Sequence, residues 1–210
     1  MQGIFTALLT PFNADYTVNE KSLQKLVEFN LEKGVNGFYV GGSTGEGMLM
    51  SPEERKEVFR IVKKAAGDRV DMIAHCGSVS TDDAISMAKE AEALGYTAVS
   101  AVAPYYYSFS YDAIRKYYDD IVSSVSLPMV IYNFPSGNGF TFTADIAAER
   151  SALFIHRYRK LRKSCLEFVL VAVGCNVDMH SARPDMRISH CLHALFPGTG
   201  FDPFDHFRYV

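Results

Sequence analysis

The sequence lacks the features that would assign it at once to a nucleic-acid-binding, membrane or secreted class. Its net charge is only −3, from 21 basic and 24 acidic side chains, so no general attraction for nucleic acid or an acidic membrane surface is expected. No apolar run reaches the roughly 20 residues that span a bilayer. The N-terminal residues have neither the basic start nor the apolar stretch of a signal peptide. We therefore expect a soluble protein of the cytoplasm.

Cysteine is also scarce. The four cysteines are irregularly spaced and form no C-x-x-C pair, which argues against a disulfide framework and against a zinc knuckle. His190 and His193 lie near two of these cysteines, Cys175 and Cys191, but the spacing matches no established set of metal ligands. We expect no metal site.

What the first 150 residues do contain is a repeated unit. Short apolar runs rich in β-branched residues alternate with longer segments of helical period, as in βα units around a parallel sheet. Candidate strands cover residues 4–9, 37–41, 71–76, 98–103 and 128–132. Candidate helices begin near residues 20, 52, 81, 111 and 143, and the fifth is still running at residue 150.

The ends of these helices carry recognisable signals. Ser51 is followed by a proline and then by Glu54 at the third helical position, which predicts a capping box at the start of the second helix. Gly34 and Gly95 stand where the first and third helices should end, in the position that favours a left-handed residue.

The spacing of the strands suits two architectures. Five units that begin 26–35 residues apart fit either an open doubly wound sheet or a (β/α)8 barrel. Eight such units need roughly 250 residues. A barrel-type fold in a chain of 210 residues would therefore hold only five or six βα units, followed by an atypical C-terminal tail.

The composition changes at residue 150. Residues 1–150 contain 13 basic and 19 acidic side chains, whereas residues 151–210 contain 8 and 5. Five of the six histidines follow Arg150, and a basic run at residues 156–163 stands where a buried strand is due. We divide the chain into βα units at 1–150 and a divergent tail at 151–210. Our hypothesis is that the tail arose by a frameshift or a misjoined exon, or is disordered.

A glycine-rich loop follows the second strand. This glycine loop, residues 41–47, reads Gly-Gly-Ser-Thr-Gly-Glu-Gly, and it lies where ligands bind in parallel α/β folds, at the carboxyl end of a strand. Its glycines allow backbone N–H groups to approach an anion, and Ser43 and Thr44 add hydroxyl donors. The loop suits a carboxylate or a phosphate. A tight turn that needs glycine for its own geometry explains the pattern equally well.

Two tyrosine clusters are expected at the same edge of the sheet. Tyr105, Tyr106 and Tyr107 follow the fourth strand, and Tyr132 ends the fifth. A tyrosine there can transfer protons, although any single tyrosine is more often structural. Three polar clusters on one edge together favour a small-molecule site. His75 and Cys76 are adjacent in a strand and point to opposite faces, so they cannot act as a catalytic pair.

In these places the sequence resembles the pyruvate-dependent class I aldolases of the dihydrodipicolinate synthase/N-acetylneuraminate lyase family, over about residues 3–150. Its details look more like the branch that cleaves sialic acid. The motifs are Leu9-Thr10-Pro11-Phe12, Gly41-Gly42-Ser43-Thr44-Gly45-Glu46, Pro104-Tyr105-Tyr106-Tyr107 and Tyr132-Asn133-Phe134-Pro135.

The resemblance implies a (β/α)8 barrel, a homotetramer, and cleavage of N-acetylneuraminate to N-acetylmannosamine and pyruvate through a lysine Schiff base. No cofactor is implied. Ser43 and Thr44 would bind the pyruvate carboxylate, and Tyr132 would transfer the proton. Tyr106 would be the supporting tyrosine of the substrate site, with Tyr107 as the alternative register.

The resemblance also requires a catalytic lysine. Lys160 stands about where the family's lysine would fall, but arginines replace the apolar strand expected around it. A solvated basic segment explains Lys160 as well. The alternatives are therefore another pyruvate aldolase of the family, acting on a 2-keto-3-deoxy sugar acid or on aspartate semialdehyde, and a non-catalytic truncated product.

Overall fold

The computed structural model describes residues 1–143, which contain five parallel β-strands separated by helices. The strands are β1 Phe5–Ala7, β2 Gly37–Val40, β3 Asp71–His75, β4 Ala98–Val102 and β5 Met129–Tyr132. The helices are α1 Glu20–Glu32, α2 Pro52–Ala66, α3 Thr81–Ala93, α4 Tyr111–Ser124 and the short α5 Pro135–Asn138.

The order of the strands decides between the two architectures. The sheet runs β1-β2-β3-β4-β5, so every strand pairs in parallel with the next strand along the chain. A doubly wound sheet would reverse its order at a switch point, whereas a barrel keeps sequence order. The prediction of a barrel-type α/β fold is confirmed, and the described strands form five consecutive units of it.

The sheet has two distinct faces because side chains alternate along each strand. One face packs against the helices and forms the large core, with Phe38, Met72 and Val99 among its buried members. The opposite, inner face carries a smaller apolar cluster. It consists of Ile73, Ala98 and Val130, with Met1, Phe5 and Tyr39 packed against them.

The helix signals in the sequence correspond to real caps. The side chain of Ser51 accepts from the backbone N–H of Glu54, and the Glu54 carboxylate accepts from the N–H of Ser51, so the capping box is complete. Gly34 and Gly95 follow the ends of α1 and α3 with φ of +79° and +74°. These conformations cost glycine little and would strain other residues.

The expected boundaries differ from the structure by one or two residues at the strand ends. The four-residue α5 was not expected, since a single turn between Pro135 and Gly139 is too short to show a helical period. The helix expected from Thr143, the division at residue 150 and Lys160 lie outside the described residues. In the part that is described, no helix is long and apolar enough to cross a membrane.

Candidate active site

The glycine loop is built so that side chains are excluded at its closest points. A Cβ on Gly47 would lie 1.9 Å from the carbonyl oxygen of Gly41, and one on Gly45 would lie 2.7 Å from the carbonyl oxygen of Leu8. Real Cβ atoms essentially never approach so closely. Gly41 itself has φ of +71°. The glycines thus meet the tight-turn requirement, and they also shape the surface that the loop presents.

The hydrogen bonds inside the loop leave two backbone donors available. The N–H groups of Gly45 and Gly47 both donate to the carbonyl of Gly42, and the N–H of Glu46 donates to that of Ser43. The N–H groups of Ser43 and Thr44 have no such partner within residues 1–143, and both side chains are exposed. Two amides and two hydroxyls are therefore available to bind an anion at this point.

A small pocket at the carboxyl ends of the strands brings three of the predicted site residues together. Ser43 and Thr44 contribute to one wall, and Tyr132, the last residue of β5, contributes to another. The sides and floor come from the inner face, where Tyr39 and Ser100 supply two more hydroxyls. The pocket thus combines anion donors with three further hydroxyl groups.

The hydroxyls of Tyr39 and Ser100 form an ordered chain. The Ser100 Oγ lies 2.8 Å from the carbonyl oxygen of Val130 and 2.8 Å from the Tyr39 Oη. Because the serine hydroxyl has one hydrogen and the carbonyl can only accept, Ser100 donates to Val130. Tyr39 must then donate to Ser100. Burial raises the pKa of Tyr39 far above its usual value, so this phenol stays uncharged.

Tyr132 is held in position by other aromatic rings. Its ring meets those of Tyr39 and His75 edge to face, at centroid distances of 6.3 Å and 6.1 Å, and it stacks on Phe134 at 5.7 Å. Such contacts restrict the ring to one orientation. The candidate proton-transfer group is therefore carried on a constrained ring rather than on a freely rotating one.

The third predicted substrate-binding residue, Tyr106, does not line this pocket. It is 86% exposed, has φ of +79°, and packs against Tyr107 at 4.8 Å. This left-handed residue lies in the loop after β4, four residues beyond the end of the strand. Tyr107 is exposed too, whereas Tyr105 is partly buried and its pKa is raised by desolvation. The structure separates Tyr106 from Ser43, Thr44 and Tyr132 within the described chain.

No lysine lines the pocket in the portion of the chain that is described. The candidate nucleophile, Lys160, lies outside it. The described residues of the pocket therefore supply anion donors and a hydroxyl on a constrained ring, but no amine.

Two buried polar residues behind the pocket were not expected to cooperate, namely His75 at the end of β3 and Arg55 in the first turn of α2. One guanidinium nitrogen of Arg55 lies 3.0 Å from the His75 Nδ1, and the guanidinium also donates to the carbonyls of His75 and Gly77. Desolvation, reinforced by the charge of Arg55, lowers the pKa of His75 well below its ordinary value. The imidazole is therefore neutral.

Cys76 points to the opposite face from His75, as the strand alternation requires. Its thiol lies 3.2 Å from the carbonyl oxygen of Ser100 and is fully buried. Burial raises the pKa of this thiol to about 12, which removes it as a nucleophile at neutral pH.

The sequence carried a signal for Arg55 that composition alone does not reveal. Arg55 precedes Val58 and Phe59 by three and four residues, and so it falls on the buried face of α2 by helical period. A charged residue at an apolar position of a periodic helix marks a buried polar contact. Tyr39 was equally detectable, because it alternates with Phe38 and Val40 and faces away from the helices.

No group of three His, Cys, Asp or Glu side chains that could hold a metal ion occurs in residues 1–143.

Comparison with known proteins identifies the relatives of this chain. Residues 1–150 match the dihydrodipicolinate synthetase family. An N-acetylneuraminate lyase of Pasteurella multocida is 48% identical over 136 residues, which is 64% of this chain and 46% of that protein. The chain thus spans about half the length of the curated relatives that it matches.

Solved structures agree with this assignment. CdNal from Clostridium difficile, described in complex with mannosamine, aligns with a TM-score of 0.70 at 36% identity and covers 81% of this chain and 58% of its own. A Ruminococcus gnavus sialic acid aldolase, described as a catalytic lysine mutant, aligns with a TM-score of 0.70 at 32% identity. That alignment covers 72% of this chain and 50% of the aldolase.

Proposed function

Because the chain belongs to the dihydrodipicolinate synthetase family, we propose that it carries the pyruvate half-site of an aldolase that cleaves N-acetylneuraminate. The products would be N-acetylmannosamine and pyruvate. The relatives named as N-acetylneuraminate lyases support this substrate, and so does the neighbour described with mannosamine. A homotetramer and a cytoplasmic location belong to the same proposal.

One observation carries the proposal, namely that Ser43, Thr44 and Tyr132 line one pocket at the carboxyl edge of the sheet. An α-keto acid needs donors for its carboxylate, an amine that attacks its carbonyl carbon, and a group that moves a proton. The N–H and hydroxyl groups of Ser43 and Thr44 would bind the carboxylate. The hydroxyl of Tyr132 would relay the proton of the C4 hydroxyl as the C3–C4 bond breaks, passing its own hydrogen to the substrate carboxylate as it accepts the new one.

The amine would be that of Lys160. Its attack on the C2 carbonyl carbon expels water and forms an iminium ion, which accepts the electrons of the broken C3–C4 bond. Protonation of the resulting enamine at C3 and hydrolysis then release pyruvate and the free lysine. The relative described as a catalytic lysine mutant supports a lysine in this role in the family. Tyr106 remains a proposed substrate-binding residue.

A non-catalytic product that binds α-keto acids is the second candidate. It is favoured by the lack of a lysine among the pocket residues of the described segment and by the break in composition after Arg150. The divergent tail at 151–210 and its origin in a frameshift or misjoined exon stay proposals. Sequencing the gene and its transcript tests them, because an intact reading frame shared by close relatives would refute that origin.

The proposal is tested by trapping the lysine adduct. The full chain is incubated with pyruvate, reduced with borohydride and digested, and the modified peptide is located by mass spectrometry. We expect an adduct on Lys160 that disappears in Lys160→Met and weakens in Thr44→Val. Tyr16→Phe, which changes a surface tyrosine away from the pocket, serves as the control and should leave trapping unchanged.

Release of pyruvate from N-acetylneuraminate, followed by coupling to lactate dehydrogenase, measures the whole reaction. Tyr132→Phe should lower this rate by about 100-fold or more, because it removes a positioned proton-transfer group. An adduct without cleavage would support the pyruvate half-site but contradict the proposed cleavage of N-acetylneuraminate by this chain. Neither adduct nor cleavage from folded protein would overturn the catalytic proposal.

A further inference from the structure

Arg55 is an unusual group to find buried. Its side chain is on α2, only 2% of the residue is exposed, and no carboxylate pairs with it among residues 1–143. Its charge is instead held by the carbonyls of His75 and Gly77, and its Nε has no hydrogen-bond partner in this part of the chain. A buried cation solvated by two carbonyls at the end of one strand fixes the path of the backbone there.

The His75 ring is contacted at both nitrogens by groups that can only donate. The backbone N–H of Val102 points at the Nε2 from 3.3 Å, and the Nη2 of Arg55 lies 3.0 Å from the Nδ1. The ring also hydrogen-bonds to the backbone of Gly41, whose carbonyl is the available acceptor. His75 therefore links the ends of β2 and β4 across β3.

The same ring is tightly enclosed. A Cβ on Gly77 would lie 2.9 Å from the Cε1 of His75, so the backbone at Gly77 packs directly on the imidazole. On its other side the ring lies next to the rings of Tyr132 and Tyr39, at centroid distances of 6.1 Å and 5.9 Å. Among residues 1–143, the titratable and charged groups that contact the ring are Arg55 and the phenols of Tyr39 and Tyr132. A movement of this ring would therefore displace Tyr39 and Tyr132, which both line the pocket.

We propose that Arg55 and His75 are positioning residues of the candidate site. Arg55 fixes the backbone and ring of His75, and the ring in turn holds the Gly41 end of the glycine loop and the ring of Tyr132. Neither residue is among those that line the pocket, so both act through the residues that do. This inference rests on the proposed roles of the glycine loop and Tyr132.

The test is NMR spectroscopy of the full chain labelled with ¹⁵N, with the ring signals of His75 assigned through His75→Gln. We expect the wild-type ring to be neutral from about pH 8 down to about pH 5, the range in which ordinary histidines titrate. In Arg55→Met we expect the pKa of the ring to rise relative to the wild type, because the charge of Arg55 is gone while the burial of the ring remains. The backbone signals of Gly41 and Thr44 and the ring signals of Tyr132 should shift with it.

Two further variants separate positioning from general destabilisation. Arg60→Met removes an arginine from the same helix, one that forms an ion pair with Glu90 at the surface, and should leave the signals of His75 and Tyr132 unchanged. Arg55→Lys retains a cation but replaces the planar guanidinium, whose two nitrogens reach the two carbonyls, with a single ammonium nitrogen. It should keep the ring neutral while still shifting the Gly41 signal. If Arg55→Met does not fold, the lysine variant still decides.

Titration of the wild-type ring near its ordinary pKa, or unchanged Gly41 and Tyr132 signals in the Arg55 variants, would overturn the inference. Pyruvate binding is measured on the same samples. Loss of affinity in Arg55→Lys but not in Arg60→Met supports the positioning role. Absence of binding in the wild type would refute the proposed function, whereas the signals of Gly41 and Tyr132 in the Arg55 variants judge the positioning role separately.

Discussion

The direction of the hydroxyl chain behind the pocket makes an asymmetric prediction. Tyr39 donates to Ser100, and Ser100 donates to the carbonyl of Val130. Ser100→Ala removes the acceptor of a phenol and the donor of a carbonyl at once. Tyr39→Phe removes only one bond and leaves the Ser100 hydrogen satisfied. We therefore expect the serine variant to be the more destabilised of the two, although each substitution deletes one oxygen atom.

The expected losses in the free energy of unfolding follow from the cost of leaving buried polar groups without a hydrogen-bond partner. An unpaired buried donor costs about 1–3 kcal/mol, and an ordinary hydrogen bond contributes about 0.5–1.5 kcal/mol. Ser100 is fully buried, so Ser100→Ala should lower the free energy of unfolding by about 2–3 kcal/mol. Tyr39→Phe should lower it by about 1 kcal/mol. The double variant has no phenol that lacks an acceptor. Its loss of stability should therefore be smaller than the sum of the two single losses by about 1 kcal/mol.

Urea denaturation of the full chain, followed by circular dichroism, measures these differences as shifts of the midpoint at constant slope. Ser43→Ala is the matched control, since it removes an exposed serine hydroxyl from the same pocket and should change stability by less than about 0.5 kcal/mol. If Tyr39→Phe costs as much as Ser100→Ala, or if the two losses simply add, the assigned direction of the chain is incorrect.

Three further predictions follow from other parts of the described chain. Ser51→Ala should lower the free energy of unfolding by about 0.5–2 kcal/mol in urea, because it removes the capping box of α2; no loss would contradict the observed cap. Gly47→Ala should abolish pyruvate binding in calorimetry, since its Cβ would overlap the Gly41 carbonyl; unchanged affinity would contradict the loop geometry. His75 has a lowered pKa when folded, so below about pH 6.5 the unfolded chain binds a proton that the folded chain does not. The free energy of unfolding should therefore decrease as the pH is lowered below about 6.5, by up to about 1.4 kcal/mol per pH unit. In urea titrations at several pH values, His75→Gln should reduce this dependence on pH.

Most of the fold was readable from local patterns. The strands and four longer helices follow from the alternation of apolar residues and from caps such as Ser51 and Gly34, which act over a few residues of chain. The barrel order did not follow from the spacing of the strands, which fits an open sheet equally well, and was predicted only through the resemblance to the aldolase family. It depends on which strands pair, and that is fixed by tertiary packing.

The candidate site was predictable where it depends on position along a strand. Ser43, Thr44 and Tyr132 each follow or end a strand, and parallel strands bring those ends together. The outward turn at Tyr106 was not predictable, since it rests on a left-handed backbone at a residue other than glycine. The contact of Arg55 with His75 joins residues 20 apart on different elements, which no local pattern records.

Transfer of magnetisation from the protein to the methyl group of pyruvate is the most direct test of the central claim, that residues 43, 44 and 132 form a binding site for an α-keto acid. The full chain is irradiated in the presence of pyruvate, and saturation of the methyl signal is recorded by NMR. Our account predicts saturation that is lost in Thr44→Val and retained in Tyr16→Phe. Folded protein that transfers no saturation to pyruvate, or that transfers it equally in Thr44→Val, would contradict the account.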